Sequence, residues 1–144
     1  MSAFMCNQSS VSAIAEYLAG YFNNHIVYGL GNNDRSAFRS CYDYDDHEYK
    51  PELIYKALRD LNMLALHERY GQKAKEMIGD DPGYEHTDTP SKCALLKKFH
   101  CFIYQCSEGA AERSSYYKAI VNASYRLAED IAIDQPEYIE AIWG

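Results

Sequence analysis

Apolar positions recur at helical spacing through most of this chain. From about Ser9 to Asn23, Val11, Ile14, Ala15, Leu18 and Phe22 fall on one stripe, with Tyr17 and Tyr21 as a second stripe beside it, and Ser9 or Ser10 is placed to cap the helix. The stretch His25 to Asn33 breaks this order with two glycines and two asparagines. Residues 34–49 are the least regular part, and a short strand around 38–44 is the one hint of period-two alternation. Helix resumes at Pro51, a residue suited to a first turn, and Leu53, Ile54, Ala57, Leu58, Leu61, Leu64 and Ala65 give it a wide apolar face through Tyr70. Gly71 ends or bends this helix, since QKAKEMI continues helix-like to Gly79.

Two prolines and two glycines make 79–91 a loop, after which Ser91 caps a third long helix over 92–107. A fourth is expected from about Ala110 to Ile133, with Tyr116, Ile120, Ala123, Leu127 and Ile131 facing inward. Pro136 opens a short last helix, PEYIEAIW. The expected architecture is all-α: one domain over 1–144, a compact bundle of four principal helices plus a short C-terminal helix. At 144 residues such a bundle buries roughly two-thirds of its unfolded surface, so it needs neither metal nor disulfide to hold it.

Within the third helix, KCALLKKFHCFIYQC puts Leu95, Phe99, Phe102, Ile103 and Cys106 on one side with Leu96 at the edge. Cys93, Lys97, His100, Cys101 and Tyr104 lie opposite. A zinc site needs ligands at i,i+3 or i,i+4, and these spacings do not supply them. Cys93 and His100 are seven residues apart, while Cys101 and Cys106 point in different directions. A metal would need help from His47, His67, His86 or Cys41. His100 and Cys101 are chain neighbours whose side chains diverge on a helix, so His100 cannot activate that thiol. The reading that remains is packing, with His100 and Gln105 as buried polar anchors bonded to neighbouring elements.

Charge shifts attention elsewhere. The net charge is −7, and its segment values are 0 over 1–39, −6 over 40–90 and −1 over 91–144. An acidic middle third repels phosphate backbones, which disfavours direct nucleic-acid binding and suits docking on a basic protein surface. The densest acidic stretch, CYDYDDHEY, interleaves tyrosine with carboxylate. Tyr42, Asp43, Tyr44, Asp45, Asp46 and Glu48 are the candidate partner-binding residues: the rings supply contact area at low entropic cost and the carboxylates select arginine or lysine. The competing reading is a solvated loop whose tyrosines fold back on helices.

Calcium fits poorly, because a loop started at Asp43 would place Glu48 where glycine is needed and Ile54 where glutamate is needed. Gly29-Leu30-Gly31 reads as a turn, not a nucleotide fingerprint. Asp80, Asp81, Glu85 and Asp88 form a second, weaker acidic candidate, and Lys97-Lys98 a solvated basic spot. No motif calls for a metal or any other cofactor.

Five cysteines without paired spacing read as reduced thiols. MSAFMCNQSS lacks the basic and apolar regions of a signal peptide, and no apolar run approaches the roughly 18 residues of a membrane span. A soluble cytoplasmic protein is expected. Its fourteen tyrosines, including the Tyr17–Tyr21 stripe and those of the fourth helix, also raise self-association.

The opening MSAFM, the run His100-Cys101-Phe102-Ile103-Tyr104-Gln105-Cys106 and the late Trp143-Gly144 resemble a loose group of small bacterial proteins carried on phages and other mobile elements. That resemblance implies an accessory protein of the bacterial cytoplasm, an antagonist of CRISPR-type defence among the roles it suggests. The expected function is therefore a non-enzymatic interaction module that occupies a basic surface. The reading from a different class is a small hydrolase or metal-dependent enzyme using His100 with a cysteine or an acidic partner.

Overall fold

The computed structural model describes residues 8–24, 32–78, 83–86 and 90–134. Four long helices carry the architecture: α1 (Gln8–Asn24), α3 (Pro51–Tyr70), α5 (Lys92–Cys106) and α6 (Ser115–Asp134). Two short helices, α2 (Asn32–Ala37) and α4 (Ala74–Ile78), a two-stranded hairpin, β1 (Tyr42–Asp43) and β2 (Glu48–Tyr49), and 3-10 turns at Arg39–Cys41, Gly71–Lys73 and Ala111–Arg113 complete the described elements. The all-α architecture with four principal helices follows the apolar periodicity. The short helix expected at Pro136, with Trp143, lies outside the described residues, as does Gly29-Leu30-Gly31.

α1 packs chiefly against α3 and also touches α5, α5 lies along α6, and α2 rests on α6. Phe22, Phe38, Phe99 and Phe102 are fully buried together with Ile14, Leu18, Leu58, Leu96, Ile120 and Leu127. All four long helices therefore share one apolar core. The predicted α1 stripe is buried throughout. Tyr21 is buried as well, and half-buried Tyr17 sets its ring edge-on to Phe99 at 5.7 Å, so the tyrosine stripe packs against the core.

Two local readings change, and the alternatives at Gly71 are decided. On α3 the buried set is Ile54, Tyr55, Leu58, Leu61, Asn62, Ala65 and Leu66, while Leu53 and Leu64 are 39% and 43% exposed. Successive 100° steps place the buried residues on one arc and carry Leu53 and Leu64 past its edge. The fourth helix starts at Ser115, not Ala110, because Ser114 turns to an extended conformation (φ −67°, ψ 143°) after a 3-10 turn at Ala111–Arg113. Gly71, at φ 60°, ends α3 as its C-cap and opens a single 3-10 turn, Gly71–Lys73, that leads into α4.

The starts of α3 and α5 follow from sequence; the cap expected at Ser9 or Ser10 does not, because α1 already begins at Gln8 and both serines lie within its first turn. Pro51 occupies the first turn of α3. The Ser91 side chain accepts a hydrogen bond from the Ala94 N–H at 3.2 Å, opening α5. Residues 83–86, part of the expected loop, are strapped to the bundle. The Tyr84 hydroxyl donates to Glu16 at 2.8 Å, His86 pairs with the same carboxylate, and the Tyr84 ring lies 5.8 Å from Tyr55. Among the described residues no helix is long and apolar enough to cross a membrane.

Candidate protein-docking hairpin

The acidic tyrosine segment is a hairpin, not a loose loop. Antiparallel pairing sets Tyr42 against Tyr49 and Asp43 against Glu48, with Tyr44–His47 as the turn. His47 takes φ 56°, the left-handed conformation that closes a short hairpin loop. Its base is fixed by buried Cys41, whose carbonyl accepts from the Lys50 N–H at 3.1 Å.

A two-residue strand pair is too short to be stable alone. Asn23 on α1 supplies the missing support. Its Oδ1 accepts from the Tyr49 N–H at 2.8 Å and its Nδ2 donates to the Tyr49 carbonyl at 3.1 Å. Both main-chain groups of Tyr49 are thereby satisfied by one amide side chain, and the edge of β2 is closed.

The rings extend this anchoring outward. Buried Phe22 lies 5.3 Å from Tyr49, Tyr49 lies 5.1 Å from Tyr42 and Tyr42 lies 4.9 Å from Tyr44, the last two contacts being edge-to-face. The ladder ends in solvent, where Tyr44 is 70% exposed. It thus runs from the core to the turn.

The four carboxylates are not equivalent. Asp43 is half-buried, and its Oδ1 accepts from the N–H groups of Asp45 and Asp46 at 2.9 and 3.3 Å, so it holds the turn. Asp46 and Glu48 both pair with Lys50, at 2.5 and 2.9 Å. Hydrogen bonds from Lys50 to Asp46 and Glu48 raise its pKa above the ordinary lysine value, so the ammonium stays charged. Asp45 is exposed and makes no side-chain hydrogen bond or ion pair with the described residues. All six candidate residues share the hairpin. Among the described residues Tyr44 and Asp45 face solvent without a side-chain hydrogen bond or ion pair, Asp46 and Glu48 face it while paired, and Tyr42 and Asp43 build the support.

α5 offers a different environment. Leu95, Leu96, Phe99, Phe102, Gln105 and Cys106 are buried. Gln105 is inside the fold, whereas His100 is only half-buried, because it falls beyond the end of the buried arc. Burial lowers the His100 pKa from its ordinary 6.5. Burial also raises the Cys41 thiol, and pushes Cys106 up to about 12. A thiol shifted that way is protonated at neutral pH and a poor nucleophile. Cys93 and Cys101 are half-buried on the outer side. Among the described residues no group of three histidine, cysteine, aspartate or glutamate side chains is placed to hold a metal ion.

Two features of the hairpin's surroundings were missed at the level of sequence. Asn23 is 26 residues from Tyr49, with no local signal linking them. Arg35 and Arg39, spaced i,i+4, flank a shallow depression together with Ser36 and Tyr49, a convergence only the fold creates.

The fold and this surface define a small helical bundle that presents an anchored acidic hairpin. Comparison with protein families, with curated proteins and with solved structures finds no match to the chain.

Proposed function

We propose that this chain is a small acidic interaction protein without a catalytic role, which sets its 42–49 hairpin on a basic protein surface and blocks that surface by occupancy. The observation that carries this reading is Tyr44: a large ring held at the end of an aromatic ladder yet 70% exposed. Aromatic side chains already fixed before binding lose little entropy on contact, and such residues dominate interface energies. Asp45, Asp46 and Glu48 stand around it and favour arginine or lysine opposite. Lys50 tempers that charge, leaving a net −3 over residues 42–50. The resemblance to phage and mobile-element proteins supplies the setting: a bacterial cytoplasm, with a nucleic-acid-binding complex of CRISPR-type defence as the target whose surface is basic.

Affinity capture from a bacterial host lysate at graded salt tests this. The expected partner is a protein with a basic surface, lost from the bound fraction as salt rises, since exposed charge pairs are screened. Retention that is indifferent to salt, or a partner with an acidic surface, would count against the proposal.

A further inference from the structure

The turn of the hairpin distinguishes between the two basic side chains that a partner could present. Three of its four carboxylates are already engaged. Asp43 Oδ1 accepts from the Asp45 and Asp46 N–H groups, while Asp46 and Glu48 both pair with Lys50. Asp45 is the exposed carboxylate with no side-chain hydrogen bond or ion pair among the described residues, and its chain neighbour is Tyr44, whose ring is 70% exposed. We infer that Tyr44 and Asp45 together form a recognition point for a single arginine of the partner protein, in preference to lysine. The inference rests on the reading of the hairpin as a docking surface and names the chemistry of what it docks against.

The selection rests on shape as well as charge. A guanidinium is flat and weakly hydrated, so it lies over a ring face while the N–H groups on its edge bond a carboxylate. An ammonium is a compact, strongly hydrated point charge, and one that reaches the carboxylate gains little from the ring. The chain already uses the first arrangement at another place. The Arg69 guanidinium lies over the Tyr104 ring at 5.5 Å while its Nη2 donates to the Tyr104 and Ser107 carbonyls, both at 2.9 Å.

Ring and carboxylate are both positioned before a partner arrives. The Tyr44 ring meets Tyr42 at 4.9 Å with an interplanar angle of 73°, and Tyr42 in turn meets Tyr49, so the ring has one supported side and an open remainder. The bond from the Asp45 N–H to Asp43 at 2.9 Å fixes the backbone between ring and carboxylate. Less freedom is therefore lost on contact. Neighbouring charge limits the count to one, because a second arginine would meet only carboxylates already shared with Lys50. Arg35 and Arg39 line their depression with Tyr49, at the root of the ring ladder, and not with Tyr44.

Two capped tripeptides of equal charge, acetyl-glycyl-arginyl-glycinamide and its lysine counterpart, are the probes. Each is titrated into the isotope-labelled whole chain at low ionic strength, with NMR shifts read residue by residue. The arginine peptide is expected to shift the Tyr44 and Asp45 signals and to bind about threefold or more tighter than the lysine peptide, the scale of an exposed cation–π contact. Tyr44→Leu removes the ring and keeps the charge, so the preference is expected to vanish, whereas Tyr44→Phe retains it. Asp45→Asn is expected to weaken both peptides, and Tyr125→Leu, at another exposed tyrosine, to change nothing. Equal binding of the two peptides at the turn, or an arginine preference that survives Tyr44→Leu, overturns the inference while leaving the hairpin as a general cation acceptor. Shifts centred away from residues 42–48, or none with either peptide, overturn it together with the docking role of the hairpin. The replaced side chains are exposed, so the bundle stays folded, which circular dichroism verifies.

Discussion

Lys50 joins Asp46 to Glu48, and Asp43 is turned inward to bind two backbone N–H groups, so side chains of one chemical type do different work within six residues. Stability measurements separate them. Asp43→Ala removes the acceptor that holds the turn and is expected to cost roughly 0.5–1.5 kcal/mol. Asp45→Lys alters only an exposed group and is expected to stay within about 0.5 kcal/mol of the unaltered chain. Urea unfolding of both reads the contrast, and equal effects would contradict the division of roles. The thiols divide in the same way. Burial holds Cys106 protonated up to about pH 12 and raises Cys41, so both are expected to resist iodoacetamide at pH 8 in the folded protein. Half-buried Cys93 and Cys101 are expected to be modified before Cys41 and Cys106, with peptide mass spectrometry after timed quenching giving the order.

At the scale of elements, the corner between α5 and α6 shows how helix ends are held without a conventional cap. Arg69 Nη2 donates to the carbonyls of Tyr104 and Ser107, both at 2.9 Å, and its guanidinium lies over the Tyr104 ring at 5.5 Å. Glu68 accepts from the Ala110 N–H at 2.9 Å, and Glu112 from the Glu108 N–H at 2.7 Å. Gly109 makes this corner feasible: it sits at φ 86°, and a Cβ there would meet Glu68 Oε2 at 2.5 Å. Gly109→Ala therefore combines backbone strain with displacement of a capping carboxylate, and an expected loss of about 1–3 kcal/mol lowers Tm. Gly20, inside α1 with nothing within 4 Å of its missing Cβ, provides the opposite case. Gly20→Ala is expected to raise stability by roughly 0.5–1 kcal/mol, through helix propensity. Thermal melts of the two variants moving in the same direction would refute the argument.

Across the whole molecule, what could be read from the chain was set by how local the determinants were. α3 begins at Pro51 and ends at Tyr70 because proline geometry and the apolar stripe are local, and α5 opens where Ser91 caps it. α6 was extended too far back, since Ala110 to Arg113 have helical composition and only the conformation of Ser114 separates them. The hairpin left a faint trace around 38–44 because its strands are two residues each and its support comes from Asn23 and Phe22 on another helix. Its six candidate residues were legible as a cluster. Their division into turn holder, paired carboxylates and outward pair was not, because it depends on which side chain Lys50 reaches. His100 and Gln105 were separable only once the buried arc of α5 was placed against its neighbours.

The central proposal is that Tyr44 and Asp45 lead the contact, with paired Asp46 and Glu48 beside them and Tyr42 and Asp43 as their support. Its most direct test compares capture of the partner from bacterial lysate by the unaltered chain and by the double variant Tyr44→Ala, Asp45→Lys, with circular dichroism and Tm measured on both. The account predicts that partner recovery falls at least about tenfold, the loss typical of an aromatic anchor and a charge removed together, while helicity and Tm hold. Undiminished recovery by a folded double variant would contradict it.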